Sequence, residues 1–114
     1  MTRQQRWAKH AYGKVVEQKG GDAEKKYATL CMKAPSLFQQ AGLVQAIAFL
    51  RTRSGEGKRF VDDLAAGLSV NTGEALQRKA HEAELAAYMT LTHEVIGLAA
   101  WFRRFAQAEL KRED

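Results

Sequence analysis

The chain has 114 residues, of which 46% are hydrophobic and 27% are charged, and it contains a single proline. These proportions exclude a disordered or collagen-like chain, and the length is sufficient to bury a core without disulfides or metals. The formal charge of +5 and a pI near 9.6 favour either an anionic partner or simply high solubility.

The N-terminus and the cysteine content bear on location. Cys31 is the only cysteine, which excludes an internal disulfide, and its neighbours Leu30 and Met32 favour a small buried hydrophobe. The first seven residues lack the apolar segment of a signal peptide. No segment contains the ~20 apolar residues that cross a bilayer. We therefore expect a reducing, cytoplasmic location and no membrane contact.

The fold class follows from residue usage. Ala, Leu, Gln, Lys and Glu are frequent, and the alternating Val, Ile and Thr runs of strands are missing. We predict an all-α protein, a single compact helical bundle of about six to seven helices that forms one domain over residues 1–114.

The apolar segment at residues 34–50 is predicted to form the central helix. From Leu43 onward Gln45 is the only polar residue before Arg51, so no wide face can lie in water. Pro35 suits the first turn of this helix, where a missing N–H costs nothing. Gly42 is then either a left-handed cap or a kink.

Apolar periodicity predicts the other helices. They cover residues 3–19, residues 23 or 24 to 33, residues 58–68 with Asp62 and Asp63 on the solvent side, residues 72 or 73 to about 89, and residues 91–110. We expect the core to form between residues 43–50 and residues 91–105, with Phe49 and Phe102 buried in it.

Residues 52–59 are predicted to form a mobile basic loop, because they are polar and contain two glycines. The loop is not a nucleotide-binding P-loop, since Thr52 replaces the first glycine of that motif and Arg59 replaces its hydroxyl residue. A mobile basic loop is compatible with contact to a nucleic-acid backbone. The basic residues that bracket it are Arg51, Arg53, Lys58 and Arg59.

Basic residues also gather on the solvent sides of the first and last predicted helices, opposite their apolar faces. Glu17 is the only acid among them on the first helix, and the last helix has none on that side. A solvated face and an anion-binding face both explain this pattern. The residues are Arg3, Arg6, Lys9 and Lys14 on the first helix, and Arg103, Arg104 and Lys111 on the last.

The sequence contains no recognisable catalytic or metal-binding pattern. His81 and His93 are each followed by Glu, but no second His completes a zinc-binding helix. Asp62 and Asp63 are adjacent and so cannot face one another as an acid–base pair. We therefore expect no enzymatic activity, no metal and no cofactor.

Several segments together resemble one known family, over nearly the whole chain. The most specific are the glycine-centred segment at residues 40–46 and the closing Trp101-Phe102-Arg103-Arg104. The others are Arg6-Trp7-Ala8 with Tyr12, residues 27–30 leading into Pro35-Ser36-Leu37, Phe49-Leu50, and Tyr88. The chain thus resembles the small helical subunit of the Cmr-type (III-B), RNA-targeting CRISPR effector complex.

This resemblance implies a non-catalytic, all-helical subunit with a role in antiviral defence. Its implied partners are the backbone subunit, the large palm-domain subunit, further copies of itself, and the guide RNA and target RNA. Such subunits bind phosphates along the groove for the RNA duplex without reading sequence.

Two other functions are compatible with the residues alone. One is a generic helical protein-protein adaptor, for which the basic faces would have no binding role. The other is a sequence-independent nucleic-acid-binding module. A helix-turn-helix DNA-binding protein is disfavoured, because no predicted helix is a short recognition helix with polar side chains for base edges.

Overall fold

Six α-helices form the architecture in the computed structural model, which describes residues 1–113. The helices are α1 (Arg3–Glu17), α2 (Glu24–Ala41), α3 (Leu43–Arg53), α4 (Gly55–Gly67), α5 (Gly73–Glu82) and α6 (Leu85–Glu109). No strand occurs within residues 1–113, and the all-α prediction is confirmed.

The N-terminal helix begins with reciprocal hydrogen bonds. The Thr2 hydroxyl accepts from the backbone N–H of Gln5, and the Gln5 side chain accepts from the backbone N–H of Thr2. α1 then runs beside α6 in the same direction, since Arg3 pairs with Glu94 near one end and Lys19 with Glu109 near the other. The predicted helix at residues 3–19 is therefore correct to within two residues.

The predicted helix break at Pro35 is wrong, because Pro35 lies inside α2. A proline interrupts only its own N–H bond and crowds the preceding turn. The buried stripe that includes Cys31, Ala34 and Phe38 continues across it and favours an unbroken helix. The chain breaks instead at Gly42, whose φ of 84° and ψ of 158° are accessible to glycine and strained for other residues.

The core pairing also differs from the prediction. α6 packs mainly on α2 and α1, whereas α3 packs on α4 and α5. The reason is that continuous α2 occupies the place expected for α3. Phe102 is fully buried as predicted, in edge-to-face contact with Phe60, which also contacts Tyr27 edge to face. Phe49 is 46% exposed, so its predicted burial is wrong.

Residues 52–59 are almost entirely helical, so the predicted mobile loop is wrong. Only Ser54 separates α3 from α4, and its hydroxyl accepts from the N–H of Gly57 to cap α4. A Cβ at Gly57 would collide with the carbonyl oxygen of Leu50. The glycine therefore permits a close turn where sequence reasoning expected a flexible segment.

The boundary between the last two helices lies earlier than predicted. α5 ends at Glu82 and α6 starts at Leu85, because Ala83 and Glu84 are extended. α6 continues through Thr92, whose hydroxyl bonds to the carbonyl oxygen of Tyr88 within the helix. In its first turns Leu85 and Met89 are exposed, whereas Tyr88 packs against the core.

Asp63 is buried, so its predicted position on the solvent side of α4 is wrong. Its carboxylate accepts a hydrogen bond from the Tyr27 hydroxyl at 2.6 Å, and its carbonyl oxygen lies 2.8 Å from Nε2 of His10. Burial raises the pKa of the Asp63 carboxyl, while the bond from Tyr27 and the nearby Lys14 and Arg59 oppose the shift.

The raised pKa of Asp63 predicts a specific pH dependence of stability. In the unfolded chain the Asp63 carboxyl ionises near the ordinary Asp pKa of about 3.9, whereas in the folded protein it ionises at a higher pH. As the pH rises through this interval, the contribution of Asp63 to the stability of the fold therefore decreases. Asp63→Asn keeps an acceptor for Tyr27 but cannot ionise. We expect the free energy of unfolding of the wild type to fall relative to this variant across that interval. Urea unfolding at several pH values measures it, and a pH-independent difference would contradict the assignment.

Candidate nucleic-acid interface

The outward face of α6 carries two arginines with no acidic partner among residues 1–113. Arg103 and Arg104 are exposed, whereas Phe102 beside them and Ala106 are buried on the opposite side of the helix. All six ion pairs of the described chain involve other cations. These guanidinium groups are therefore free to bind an external anion such as a phosphate.

The same face borders an open groove of about 580 Å³. Its lining includes Gln4 of α1 and Pro35 of α2 besides small residues of α6, so the groove passes over α6 between α1 and α2. Its lining is Gln4, Pro35, Gly97, Ala100, Trp101, Arg103, Arg104 and Gln107. Trp101 is half-buried, and its Nε1–H donates to the Gln4 side-chain oxygen at 2.7 Å.

The basic residues of α1 are less available than the sequence suggested. Arg3 lies over the Trp7 ring and pairs with Glu94 at 3.5 Å. Lys14 is half-buried, and its Nζ pairs with the Glu17 carboxylate at 4.0 Å. Lys9 and Arg6 are exposed, and Arg6 donates to the carbonyl oxygen of Met1.

One known protein family matches nearly the whole chain. The family model described as CRISPR-associated protein (Cas_Cmr5) matches residues 3–109. The chain belongs to the Cas_Cmr5 family. It is 45% identical over 108 residues to the CRISPR system Cmr subunit Cmr5 of Thermus thermophilus, covering 94% of this chain and 95% of that protein.

A solved structure shares the fold. The crystal structure of a CRISPR-associated Cmr5 family protein from Thermus thermophilus superposes with a TM-score of 0.94 at 43% identity, covering 97% of this chain and all of that one. The resemblance seen in the sequence is therefore confirmed at the level of the Cas_Cmr5 family.

In this Cas_Cmr5 chain the four basic residues around Ser54 do not form one surface. Arg51 is half-buried and donates to the Gln77 side chain of α5, whereas Arg59 lies 4.0 Å from Glu17 of α1. Arg53 lies over the Phe49 ring at 5.4 Å, and Lys58 is exposed. Helical structure on both sides of Ser54 separates these side chains.

The predicted place of Lys111 on the last helix is wrong, because α6 ends at Glu109. Instead the backbone N–H of Lys111 donates to the Glu24 carboxylate at 2.9 Å, and that of Gly20 donates to it at 3.0 Å. These bonds hold the pKa of Glu24 below its usual value. The carboxylate thus joins the C-terminal segment to the turn before α2.

The remaining chemistry of the described residues is sparse. Within residues 1–113 no group of three His, Cys, Asp or Glu side chains is placed to hold a metal ion. Burial raises the pKa of the Cys31 thiol, which favours the unreactive protonated form. Among the helices of residues 1–113, none combines the length and the apolar content that a bilayer span requires.

Proposed function

We propose that this chain is a non-catalytic small subunit of a Cmr-type (III-B) CRISPR ribonucleoprotein complex and that it helps to hold RNA. Membership of the Cas_Cmr5 family and the Cmr subunit from Thermus thermophilus support the place in the complex. The observation that carries the RNA contact is the exposed pair Arg103 and Arg104, which lacks an acidic partner within residues 1–113. Its ligand is the phosphate backbone of the guide RNA or target RNA.

The other predicted cations differ in exposure and in pairing with carboxylates. Arg6, Lys9 and Lys58 are exposed, and none of them pairs with a carboxylate within residues 1–113, so each can add to phosphate binding. Arg3, Lys14 and Arg59 would first have to leave their carboxylates, so we assign them a smaller contribution. Guanidinium and ammonium groups that contact phosphates fix position but carry no base information.

Contact with other proteins is supported by a different part of the surface. Leu85 and Met89 on the first turns of α6 are 76% and 55% exposed. Large apolar side chains of this kind suit the surface of a neighbouring subunit. In our proposal these neighbours are the backbone subunit, the large palm-domain subunit and further copies of this chain. A protein-only adaptor is the second candidate function on this observation.

RNA binding by the full chain tests the proposal. Affinity for a labelled single strand, measured by fluorescence anisotropy, should fall with salt with a log–log slope of roughly −0.7 per neutralised phosphate. Equal-length RNAs of different sequence should bind equally. No binding at low salt would favour the protein-only adaptor, and a strong preference for one sequence would contradict backbone recognition.

A further inference from the structure

We propose that the groove on α6 binds one unpaired RNA nucleotide, with its base stacked on Trp101 and its phosphate on Arg103 and Arg104. This inference rests on the proposed RNA-binding function and specifies its ligand. It requires a single-stranded position, because a base within a duplex has no free face to offer an aromatic ring.

Trp101 has the properties of a prepared stacking platform. Its indole N–H is held by Gln4 at 2.7 Å, and its ring lies nearly parallel to that of Phe105, with 5.8 Å between centroids and 22° between planes. Phe105 is braced in turn by Tyr12, edge to face at 5.3 Å. A ring fixed in this way loses little side-chain freedom when a ligand binds.

The groove has the size and lining for one nucleotide. Its volume of about 580 Å³ lies in the range of small-molecule sites, about 300–1,000 Å³. Pro35, Gly97 and Ala100 give it an apolar surface beside the indole, on which the face of a base can rest. The amides of Gln4 and Gln107 offer polar contacts, and the two arginines supply the positive charge for the phosphate.

An acidic peptide with an apolar side chain is the competing ligand. Apolar anchors of peptides bind in enclosed, fully desolvated pockets, whereas this groove is open. Base stacking on an aromatic ring needs only one exposed face and tolerates any base, because every base has a π-face. An open groove that combines an indole with two arginines therefore favours a nucleotide.

Fluorescence of Trp101 tests the stacking directly. The only other tryptophan, Trp7, is 5% exposed in the core, so Trp7→Phe leaves Trp101 as the single reporter. Three labelled ligands should be titrated: a single-stranded RNA, an abasic strand with the same number of phosphates, and an RNA duplex. We expect the single strand to quench Trp101 and the abasic strand and duplex to quench it much less.

A second variant makes the test independent of the Trp7 substitution. Trp101→Ala in the otherwise native chain should lower the affinity for the single strand by about tenfold, the effect of losing one stacked base. Its affinity for the abasic strand, measured by anisotropy, should be unchanged.

The outcomes separate this inference from the proposed function. Binding of the single strand without quenching, or equal quenching by the abasic strand, would overturn the nucleotide site and leave the phosphate contact intact. If neither strand binds, both the phosphate contact and the nucleotide site are wrong. If Trp101→Ala prevents assembly of the complex but leaves RNA affinity unchanged, the groove is a protein-docking surface and the nucleotide site is overturned.

Discussion

Phe102→Ala should lower the free energy of unfolding by ~3–5 kcal/mol, the cost of removing a large aromatic ring from a packed core. Phe102 has no exposed surface, and its ring contacts Phe60 and His10 at centroid distances of 5.5 and 6.1 Å. The cavity would open where α6 meets α1 and α4. A loss of this size is a large share of the ~5–15 kcal/mol that stabilises a typical domain.

Phe49→Ala is the matched control, because it removes the same side chain from a surface position. Phe49 is 46% exposed, and its identified partner is the guanidinium group of Arg53 over the ring. Exposed substitutions usually change stability by about 0.5 kcal/mol, so this variant should unfold near the wild type. Urea or thermal unfolding compares the two, and equal destabilisation would contradict the core assignment.

Those elements whose signal is local were predicted well from sequence. The apolar positions Trp7, Ala11 and Val15 recur at helical spacing, and α1 buries these three. The same reasoning predicted most of α6, as residues 91–110, and the burial of Phe102. Both helices have one apolar face and one polar face, so their periodicity alone indicates which side is packed.

The errors arose where tertiary packing overrides a local signal. Pro35 is a strong helix breaker in isolation, yet the buried stripe of α2 on both sides of it keeps the helix intact. Residues 52–59 are polar and contain two glycines, so their composition predicts a loop. The close fit of Gly57 against the Leu50 carbonyl is not visible in the sequence. As a charged residue Asp63 was expected to face solvent, but its buried carboxylate accepts a hydrogen bond from the hydroxyl of Tyr27, which lies 36 residues away in the sequence.

Only the part of the candidate site that depends on local sequence pattern was predicted. Arg103 and Arg104 lie opposite the apolar arc of one helix, so sequence alone indicated their exposure. The partners of Arg3 and Lys111 depend on contacts across the fold: Glu94 is 91 residues from Arg3, and Glu24 is 87 residues from Lys111. The groove beside Trp101 also requires Gln4 and Pro35 from two other helices, which periodicity within α6 does not reveal.

Arg103→Glu with Arg104→Glu should have the largest effect on RNA retention by the assembled complex. The reversal replaces two phosphate-binding groups by two that repel phosphate, while the fold should remain intact because both side chains are exposed. The log–log salt slope of RNA binding should become shallower by roughly 0.7 for each phosphate that the variant no longer neutralises.

Lys25→Glu with Lys26→Glu is the control for net charge. Each reversal removes two charge units, so both double variants carry a formal charge of +1 instead of +5. Lys25 and Lys26 are exposed near the start of α2, and Lys26 lies 3.8 Å from Glu56 across to α4. A general effect of lower positive charge would appear equally in both variants.

The decisive measurement is the target RNA that remains bound to Cmr complexes assembled with the native chain or with each double variant. We predict that both variants assemble, that the Arg103 and Arg104 variant retains much less target RNA, and that the Lys25 and Lys26 variant retains nearly as much as the native chain. Equal retention by the two variants would contradict the assignment of this face to RNA. Failure of the Arg103 and Arg104 variant to assemble would place the face in a protein interface instead.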